Sequence, residues 1–410
     1  MATLNRQAHV QRMMRAAFDR RAVLRGAAAA GMAPLAGSWR ARGAAAQGDP
    51  IRVGAIIPFT GLETHNGLSM QYGLEIGTAE INEAGGLAGR PVEVIMEDDG
   101  SDVARGVRAA AKLVGQDNVD FLNGTLTSSV RTAVFEETRG TETLFLNPTY
   151  YEGLLCDPFY FSTGATPNQG IEPMAAYAVE NLGTSFYFVA SDYIWGTGSV
   201  AAGIPAVEAA GGTVVGEEYV PFGTSDFTAV INRIQEAAPE VIFPFVAGQD
   251  GITFIKQLTD FGVRENVQIC ADSIDELIVP ALSEEEAAGI VNCSSYYMML
   301  PNEANQAFIA TMRETYGEDA LIGSFGMNMY NNMKLVQAAA EGLDEWSKEA
   351  VTERLREATF DGPSGPMTVD PSNQHVTQNA YIATIQPDKS FKLEQTIENV
   401  VPNAGCTVSL

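Results

Sequence analysis

Short apolar runs alternate with amphipathic helical patterns along this chain, and no other feature constrains its fold as strongly. The first predicted strands and helices cover, in order, residues 51–58, 67–84, 92–97, 103–114, 119–123, 128–139 and 144–147. Strands that alternate strictly with helices favour a parallel sheet covered by helices. The first third of the chain therefore predicts an α/β unit.

The same order of elements restarts near residue 170. A predicted helix at 170–181 is followed by predicted strands at 186–190, 213–219, 241–246 and 267–270, with helices between them. A chain of 410 residues also exceeds what a single core usually holds. The sequence therefore predicts an α/β fold of two Rossmann-like lobes.

The last third departs from this alternation. Three predicted helices follow one another without strands, at 302–316, 323–341 and 347–357, and two strands follow at 380–386 and 391–396. This succession does not make a third domain of reasonable size, so we expect the chain to cross between the lobes more than once. The predicted first lobe holds residues 50–165 and 298–361, and the second holds 166–297 and 362–400.

Residues 1–46 have the three parts of an export signal. A basic start contains Arg20-Arg21, a short apolar run covers 27–36, and Ala44-Ala45-Ala46 ends the segment. The arginine pair resembles a twin-arginine signal, although Asp19 precedes it. We therefore expect a signal peptide cleaved near Ala46 and a mature protein in the periplasm.

The remaining chain is strongly acidic, with 17 Lys and Arg against 50 Asp and Glu and a net charge of about −33. Such a charge repels nucleic acid and anionic lipid, so neither is an expected partner.

Metal, cofactor and catalytic motifs are weak. Of the histidines only His65 and His375 follow the signal, and the four cysteines form no Cys-x-x-Cys pair, which argues against a metal centre. The sequence also lacks a phosphate loop and a Gly-x-Ser-x-Gly nucleophile motif. We therefore expect no cofactor and no enzymatic activity. If a disulfide forms, Cys270 and Cys293 are the preferred pair, because they lie on consecutive predicted strands.

Ligands of parallel α/β sheets bind beyond the carboxyl ends of the strands, so the loops there are the candidate site. Two such loops are rich in hydroxyl and amide groups, and their candidate residues are Ser128, Ser129, Asn147, Thr149 and Tyr150. Hydroxyls and free N–H groups at a helix start suit a carboxylate or an amide oxygen, although they also serve as ordinary helix caps.

Aromatic and acidic residues follow the later strands. Tyr193 and Trp195 alternate across a predicted extended turn, which would bring both into one cleft unless they only pack between the lobes. Gln249, Asp250 and Asp272 follow two further strands. Either acidic group suits a ligand ammonium, and each alone is also a typical helix cap.

Several motifs, in this order, resemble those of the periplasmic family that binds branched-chain amino acids and amides. They lie at residues 56–61, 81–87, 164–169, 191–193, 223–227 and 362–367. The resemblance implies a type I periplasmic binding protein, with two lobes joined by three crossover strands and a ligand cleft between them. It also implies a solute-binding protein of an ABC importer, with an amino acid as ligand, a membrane permease as partner and a monomeric state.

The subset of this family that binds urea or short amides is similar at 147–153 and 191–193, but the chain departs from that subset at Gly196-Thr197. The resemblance implies that Ser128, Thr149 and Tyr193 contact the polar head of the ligand. A sensor of the same fold and an amide or urea binder are the alternatives. In the main hypothesis the two lobes close over the ligand, and the second lobe supplies Tyr193, Trp195, Gln249 and Asp272.

Overall fold

The computed structural model describes residues 48–409, so the predicted signal peptide lies outside the described part. Within residues 48–409, no helix has the length and the apolar character that crossing a membrane requires.

The first lobe is built on a five-stranded parallel sheet with the strand order β2-β1-β3-β4-β5. Its strands are β1 (Ile51–Ile57), β2 (Val92–Asp98), β3 (Phe121–Gly124), β4 (Leu144–Asn147) and β5 (Tyr160–Ser162). Helices α1 (Thr64–Glu83), α2 (Val103–Gly115) and α3 (Ser128–Thr138) connect the first four strands. The predicted parallel α/β unit is confirmed.

The second lobe has a four-stranded parallel sheet with the order β7-β6-β8-β9. Its strands are β6 (Ser185–Ser191), β7 (Thr213–Val220), β8 (Val241–Phe245) and β9 (Gln268–Ile269). Its helices are α4 (Ile171–Asn181), α5 (Ile194–Ala209), α6 (Thr228–Ala237) and α7 (Gly248–Asp260). Strand β6 and its neighbour β8 are almost wholly buried, which explains their continuous apolar sequence.

The remaining strands form an antiparallel sheet that connects to both lobes. These strands are β10 (Val291–Ser294), β11 (Thr359–Gly362), β12 (Gly365–Val369), β13 (Val376–Ile385) and β14 (Phe391–Val400). Helix α8 (Glu284–Ala287) precedes β10, and the helices α9 (Glu303–Tyr316), α10 (Ser324–Ala340) and α11 (Lys348–Leu355) lie between β10 and β11. Isolated bridges pair Cys270 with Val291 and Ser162 with His375, which joins this sheet to the second and first sheets.

Helix α10 packs along α1 and completes the core of the first lobe. The two helices touch at Gly73 and Gly326, where a Cβ on Gly73 would overlap the backbone oxygen of Gly326. Further along, Met333 of α10 joins Leu74 of α1 in the buried core. Helix α10, which is distant from α1 in the sequence, therefore holds α1 in place beside the candidate site.

The expected Cys270–Cys293 disulfide is wrong. The structure has a disulfide between Cys156 and Cys406, and both Cys270 and Cys293 are free and buried. Cys270 pairs with Val291, so Cys293 lies two residues further along the neighbouring strand. That displacement separates the two Cα atoms by roughly 8 Å, beyond the reach of a disulfide.

Candidate functional site

A cavity lies where the carboxyl ends of the strands in the two lobes face each other. This front cavity encloses about 570 Å³ between the atoms, including space open to solvent. It is lined by Glu63, His65, Asn66, Leu126, Ser128, Thr149, Tyr150, Tyr193, Trp195, Ala247, Gly248, Asp272, Ser273, Asp275, Ser324 and Phe325.

A second cavity adjoins the first, beside the segments that join the lobes. This rear cavity encloses about 480 Å³, again including open space. It is lined by Tyr150, Tyr151, Ala165, Thr166, Pro167, Gln169, Gly170, Ile171, Trp195, Ser199, Asp272, Cys293, Ser294, Ser295, Ser324 and Asn328. Four residues, Tyr150, Trp195, Asp272 and Ser324, line both cavities.

The lobes touch each other around the front cavity. Leu62, which follows β1, packs against the core of the second lobe. A Cβ on Gly248 would lie 2.8 Å from the backbone oxygen of Leu62, so this close approach requires a glycine. The described conformation is therefore a closed one.

Five helices begin at the front cavity: α1, α3, α5, α7 and α10. Their N-cap residues are Glu63, Thr127, Tyr193, Ala247 and Gly323, and none of these side chains caps its helix with a hydrogen bond. Free N–H groups and the positive end of the helix dipole stabilise negative charge nearby. The cavity is therefore suited to hold carboxylates.

Three carboxyl groups line the front cavity, on Glu63, Asp272 and Asp275. Burial raises the pKa of Glu63 to about 7, that of Asp272 to about 7 and that of Asp275 to about 6. Asp272 Oδ1 is buried and has no hydrogen-bond partner within residues 48–409. Backbone N–H groups of Asp272 and Ser273 partly offset the effect of burial on this carboxyl. A donor or a cation from outside the chain would satisfy the remaining oxygen, which is costly to leave without a partner in a buried place.

Within residues 48–409, no Lys or Arg forms an ion pair with these carboxyl groups. Glu63 Oε2 accepts a hydrogen bond of 3.0 Å from Asn66 Nδ2, and His65 Nε2 lies 3.6 Å from the same oxygen. Burial lowers the pKa of His65 to about 4, so this ring is neutral at pH 7. Among the described residues that line the front cavity, none is Lys or Arg.

The buried guanidinium beside Ser128 is already paired. Arg131, whose side chain is 1% exposed, lies 2.5 Å from Glu152 through Nη2 and Oε1. Ser128 Oγ donates to Glu152 Oε2 at 2.8 Å and accepts from Arg131 Nη1 at 3.1 Å. Ser128 therefore stands between the front cavity and this ion pair, and the charge of Arg131 is balanced within the protein.

Aromatic rings form the wall between the lobes. The ring of Tyr150 lies 5.8 Å from Trp195 and 4.8 Å from Phe325, measured between centroids. Tyr193 packs on Phe222 at 4.4 Å. Burial, with the nearby carboxylates, raises the pKa of both tyrosines well above its usual value, so both hydroxyls remain hydrogen-bond donors.

The structure brings six of the nine predicted site residues to the front cavity. These are Ser128, Thr149, Tyr150, Tyr193, Trp195 and Asp272. The extended turn predicted for Trp195 is wrong, because α5 begins at Ile194 and Trp195 is its second residue. The ring still reaches the cavity, since the start of that helix points there.

The other three predicted residues do not line the front cavity. Asn147 is buried, and its side chain donates to the backbone oxygen of Thr149 at 2.7 Å and accepts from Thr149 Oγ1 at 3.0 Å. It therefore shapes the turn that carries Thr149. Ser129 is half-buried at the start of α3, and Gln249 is exposed on α7.

Sequence reasoning missed several residues of the front cavity. Glu63, His65 and Asn66 follow β1, where the strand-end rule applied to the other loops would have found them. Ser324 and Phe325 begin α10, which no strand precedes directly, so that rule could not locate them.

The comparisons with known proteins cover almost the whole described chain. A profile of the family named periplasmic binding protein matches residues 50–390. The Leu/Ile/Val-binding protein homolog 6 of Brucella melitensis is 26% identical, over 83% of this chain and 89% of that protein.

Two solved structures share the fold. An ABC transporter substrate-binding protein from Sphaerobacter thermophilus has a TM-score of 0.77 and 25% identity, covering 87% of this chain and all of that one. A solute-binding protein of an ABC transporter from Rhodopseudomonas palustris BisB5, solved in complex with 3,4-dihydroxybenzoic acid, has a TM-score of 0.79 and 22% identity. It covers 87% of this chain and all of that one.

Proposed function

This chain belongs to the periplasmic binding protein family, the solute-binding proteins of ABC transporters, and we propose that its ligand carries an ammonium group, as an amino acid does. The observation that carries the proposal is the unpaired buried oxygen of Asp272, in a cavity with two further carboxyl groups and no Lys or Arg. An ammonium group supplies both the donor and the positive charge that this cavity lacks.

The helix starts around the front cavity favour a zwitterionic ligand over a simple amine. The N–H groups of five helix starts favour negative charge, and the three carboxyl groups favour positive charge. An amino acid presents both charges on adjacent atoms. In this proposal its carboxylate faces the helix starts and its ammonium faces Asp272.

Two other ligand classes fit less well. An aromatic acid, as in the Rhodopseudomonas palustris complex, would find aromatic walls here, but no unpaired cation to balance its carboxylate. Urea and short amides are neutral, so they would leave the charge of Asp272 uncompensated. The name of the Brucella melitensis relative, a Leu/Ile/Val-binding protein homolog, agrees with the amino-acid proposal.

Ligand capture of this kind works by closure. The ligand would bind in an open form, favour the closed form described here and be passed on by docking of that form on the membrane permease. We propose that the protein does this as a monomer in the periplasm, and that it releases the ligand chemically unchanged.

The proposal is tested by isothermal titration calorimetry of the mature protein at pH 7.5. The panel pairs L-leucine with 4-methylpentanoate, which is leucine without its amino group, and adds acetamide, urea and 3,4-dihydroxybenzoate. We expect L-leucine to bind with a Kd of about 1 μM, or about −8 kcal/mol. We expect 4-methylpentanoate to bind at least about 100-fold more weakly, because it leaves Asp272 unpaired.

Equal or tighter binding of 4-methylpentanoate or of 3,4-dihydroxybenzoate would show that the ammonium group is not what the cavity recognises. Mass spectrometry of the ligand after prolonged incubation with the protein tests whether the protein catalyses a reaction of its ligand. A new product mass that needs the protein would contradict a pure binding role.

A further inference from the structure

The segment that follows β14 lies across the place where the chain passes between the lobes. We call residues 401–409 the strap; they have no regular secondary structure. Asn168 Nδ2, between β5 and α4, donates to the backbone oxygen of Val401 at 2.8 Å. Val408 N donates to the backbone oxygen of Ser372, between β12 and β13, at 2.8 Å. The strap therefore touches both a crossing segment and the antiparallel sheet.

The strap is also attached to the loop between β4 and β5, residues 148–159. Leu154 N donates to the backbone oxygen of Ala404 at 2.7 Å. Two residues further along each segment, the Cys156–Cys406 disulfide joins the same two pieces of chain. The strap thus links a loop of the first lobe to the segments between the lobes.

The same loop contributes to the front cavity and to the contact between the lobes. Tyr150 lines the cavity, and Glu152 Oε2 accepts a hydrogen bond from the Oγ of Ser128, another lining residue, at 2.8 Å. Glu152 also packs against the second lobe, because a Cβ on Gly198 of α5 would lie 2.6 Å from the Cβ of Glu152. Glu152, four residues before Cys156, therefore contacts both lobes in the closed form.

Small thiol reagents can reach the bridge. Cys156 and Cys406 are half-buried, and the nearby Leu154 and Gly405 are exposed. A dithiol such as dithiothreitol can therefore attack the disulfide through its thiolate. Two electrons and two protons pass to the bridge, so that Cys156 and Cys406 become thiols and the reagent leaves as its own cyclic disulfide.

We propose that the Cys156–Cys406 bridge is a redox-sensitive clamp on closure of the lobes, which holds Glu152 against α5 and is released when the bridge is reduced. Release lets the loop and the strap separate, so the closed form loses stability relative to the open form. The apparent affinity for a ligand then falls with the population of the closed form. This inference rests on the proposed function, and it gives the site full affinity in an oxidising compartment such as the periplasm.

The first test measures the Kd for L-leucine by titration calorimetry before and after reduction with dithiothreitol. We expect reduction to raise the Kd at least about fivefold, the lower end of usual couplings between sites. The variant with both Cys156 and Cys406 replaced by Ser should bind as weakly and ignore the reductant, whereas Cys270→Ser should respond as the wild type does. An unchanged Kd in reduced protein that a thermal melt shows to be folded would overturn the inference.

Coupling between the bridge and the ligand must also be reciprocal. In a buffer of reduced and oxidised dithiothreitol, saturating L-leucine should shift the equilibrium towards the oxidised bridge by the same factor as reduction raises the Kd. Alkylation of Cys156 and Cys406, followed by mass spectrometry, measures the reduced fraction. No shift, or a shift towards the reduced form, would overturn the inference.

A variant with the bridge left oxidised covers the case in which the reduced protein does not stay folded. In Gly198→Ala the added Cβ would displace Glu152 from α5, while alanine favours the helix, so the variant should fold. We expect its Kd for L-leucine to rise at least about fivefold. The matched control is Gly115→Ala, where nothing lies within 4 Å of the added Cβ. Equal affinity in Gly198→Ala and the wild type would overturn the inference.

Hydrogen exchange of the ligand-free protein separates this inference from the proposed function. Reduction should speed exchange of the Leu154 N–H by about tenfold, the equivalent of one hydrogen bond, while the N–H groups of β6 remain protected. If L-leucine does not bind the oxidised wild type, the proposed function fails and the exchange measurement decides this inference. Unchanged exchange at Leu154 would overturn the clamp whatever the ligand is.

Discussion

Replacing Asp272 by Asn is the sharpest test of the ammonium site. The two side chains have nearly the same shape, and the backbone at this position is held in place because Asn292 Nδ2 donates to the backbone oxygen of Asp272 at 3.1 Å. The substitution therefore removes a charge and one acceptor, with little effect on geometry. In Asn the amide nitrogen can occupy the place of the unpaired Oδ1, where it would present a donor to the donor groups of the ligand.

The expected loss follows from the interaction that disappears. A hydrogen bond to a charged group contributes about 1.5–3 kcal/mol. At about 1.4 kcal/mol per factor of ten, the Kd for L-leucine should rise by about 10- to 150-fold. The stability of the ligand-free protein should not fall, because the substitution also removes a buried carboxyl group whose pKa is raised to about 7 by burial.

Titration calorimetry measures the affinity, and a thermal melt of the ligand-free protein shows whether the variant is folded. The matched control is Asp250→Asn, since Asp250 is also buried in the second lobe but lies outside both cavities and accepts from the Gly223 N–H at 2.7 Å. A change of less than threefold in Asp272→Asn, or an equal loss in Asp250→Asn, would refute the assignment of Asp272 as the partner of the ammonium.

Three further predictions follow from the same structure. Burial raises the pKa of Asp272 to about 7, so below that pH the group is neutral, and affinity for L-leucine should fall by up to about tenfold per pH unit between pH 7 and pH 5 in calorimetry. Replacing Cys156 and Cys406 by Ser should lower the free energy of unfolding by about 3–5 kcal/mol in urea titrations, because their bond spans 250 residues. Gly73→Ala should lower it by about 1–3 kcal/mol, because its Cβ would overlap the backbone oxygen of Gly326.

Each of these has a control. Asp272→Asn should flatten the pH dependence, and an unchanged slope would assign the proton to another group. Cys270→Ser leaves the Cys156–Cys406 bridge intact, so a reductant should still lower the stability of this variant. The variant in which both Cys156 and Cys406 are replaced by Ser should show no such effect of reductant. Gly115→Ala, where nothing lies within 4 Å of the added Cβ, should be neutral or stabilising, and an equal loss there would refute the clash at Gly73.

The parallel sheets were predictable because buried strands and amphipathic helices carry strong periodic patterns. The starts of two helices were not. Helix α1 begins at Thr64, before the predicted residue 67, and α7 begins at Gly248, before the apolar repeat that starts at Ile252. Both starts are polar because they face or flank the front cavity, so they lack the apolar repeat by which a helix is recognised.

The candidate site was predictable only as far as strand ends indicate it. That rule led to Ser128, Thr149 and Asp272, each of which follows a strand and lines the front cavity. Ser324 reaches the cavity because α10 packs along α1, a contact between segments some 250 residues apart that no local pattern encodes. The exposure of Gln249 likewise depends on the rotation of α7 about its own axis where it packs against the sheet.

The Cys156–Cys406 bridge makes oxidation a report on completed folding. Cys406 follows β14, which pairs with β13, and β13 in turn pairs with β10 and β12. In the native structure the two sulfurs meet where the segment after β14 returns to the loop before β5. Because 250 residues separate them in the sequence, an unfolded chain rarely brings them together. A partly folded chain would retain four reactive thiols, whereas the native one buries the two that it leaves free. The number of thiols accessible to an alkylating reagent thus distinguishes folded molecules from partly folded ones.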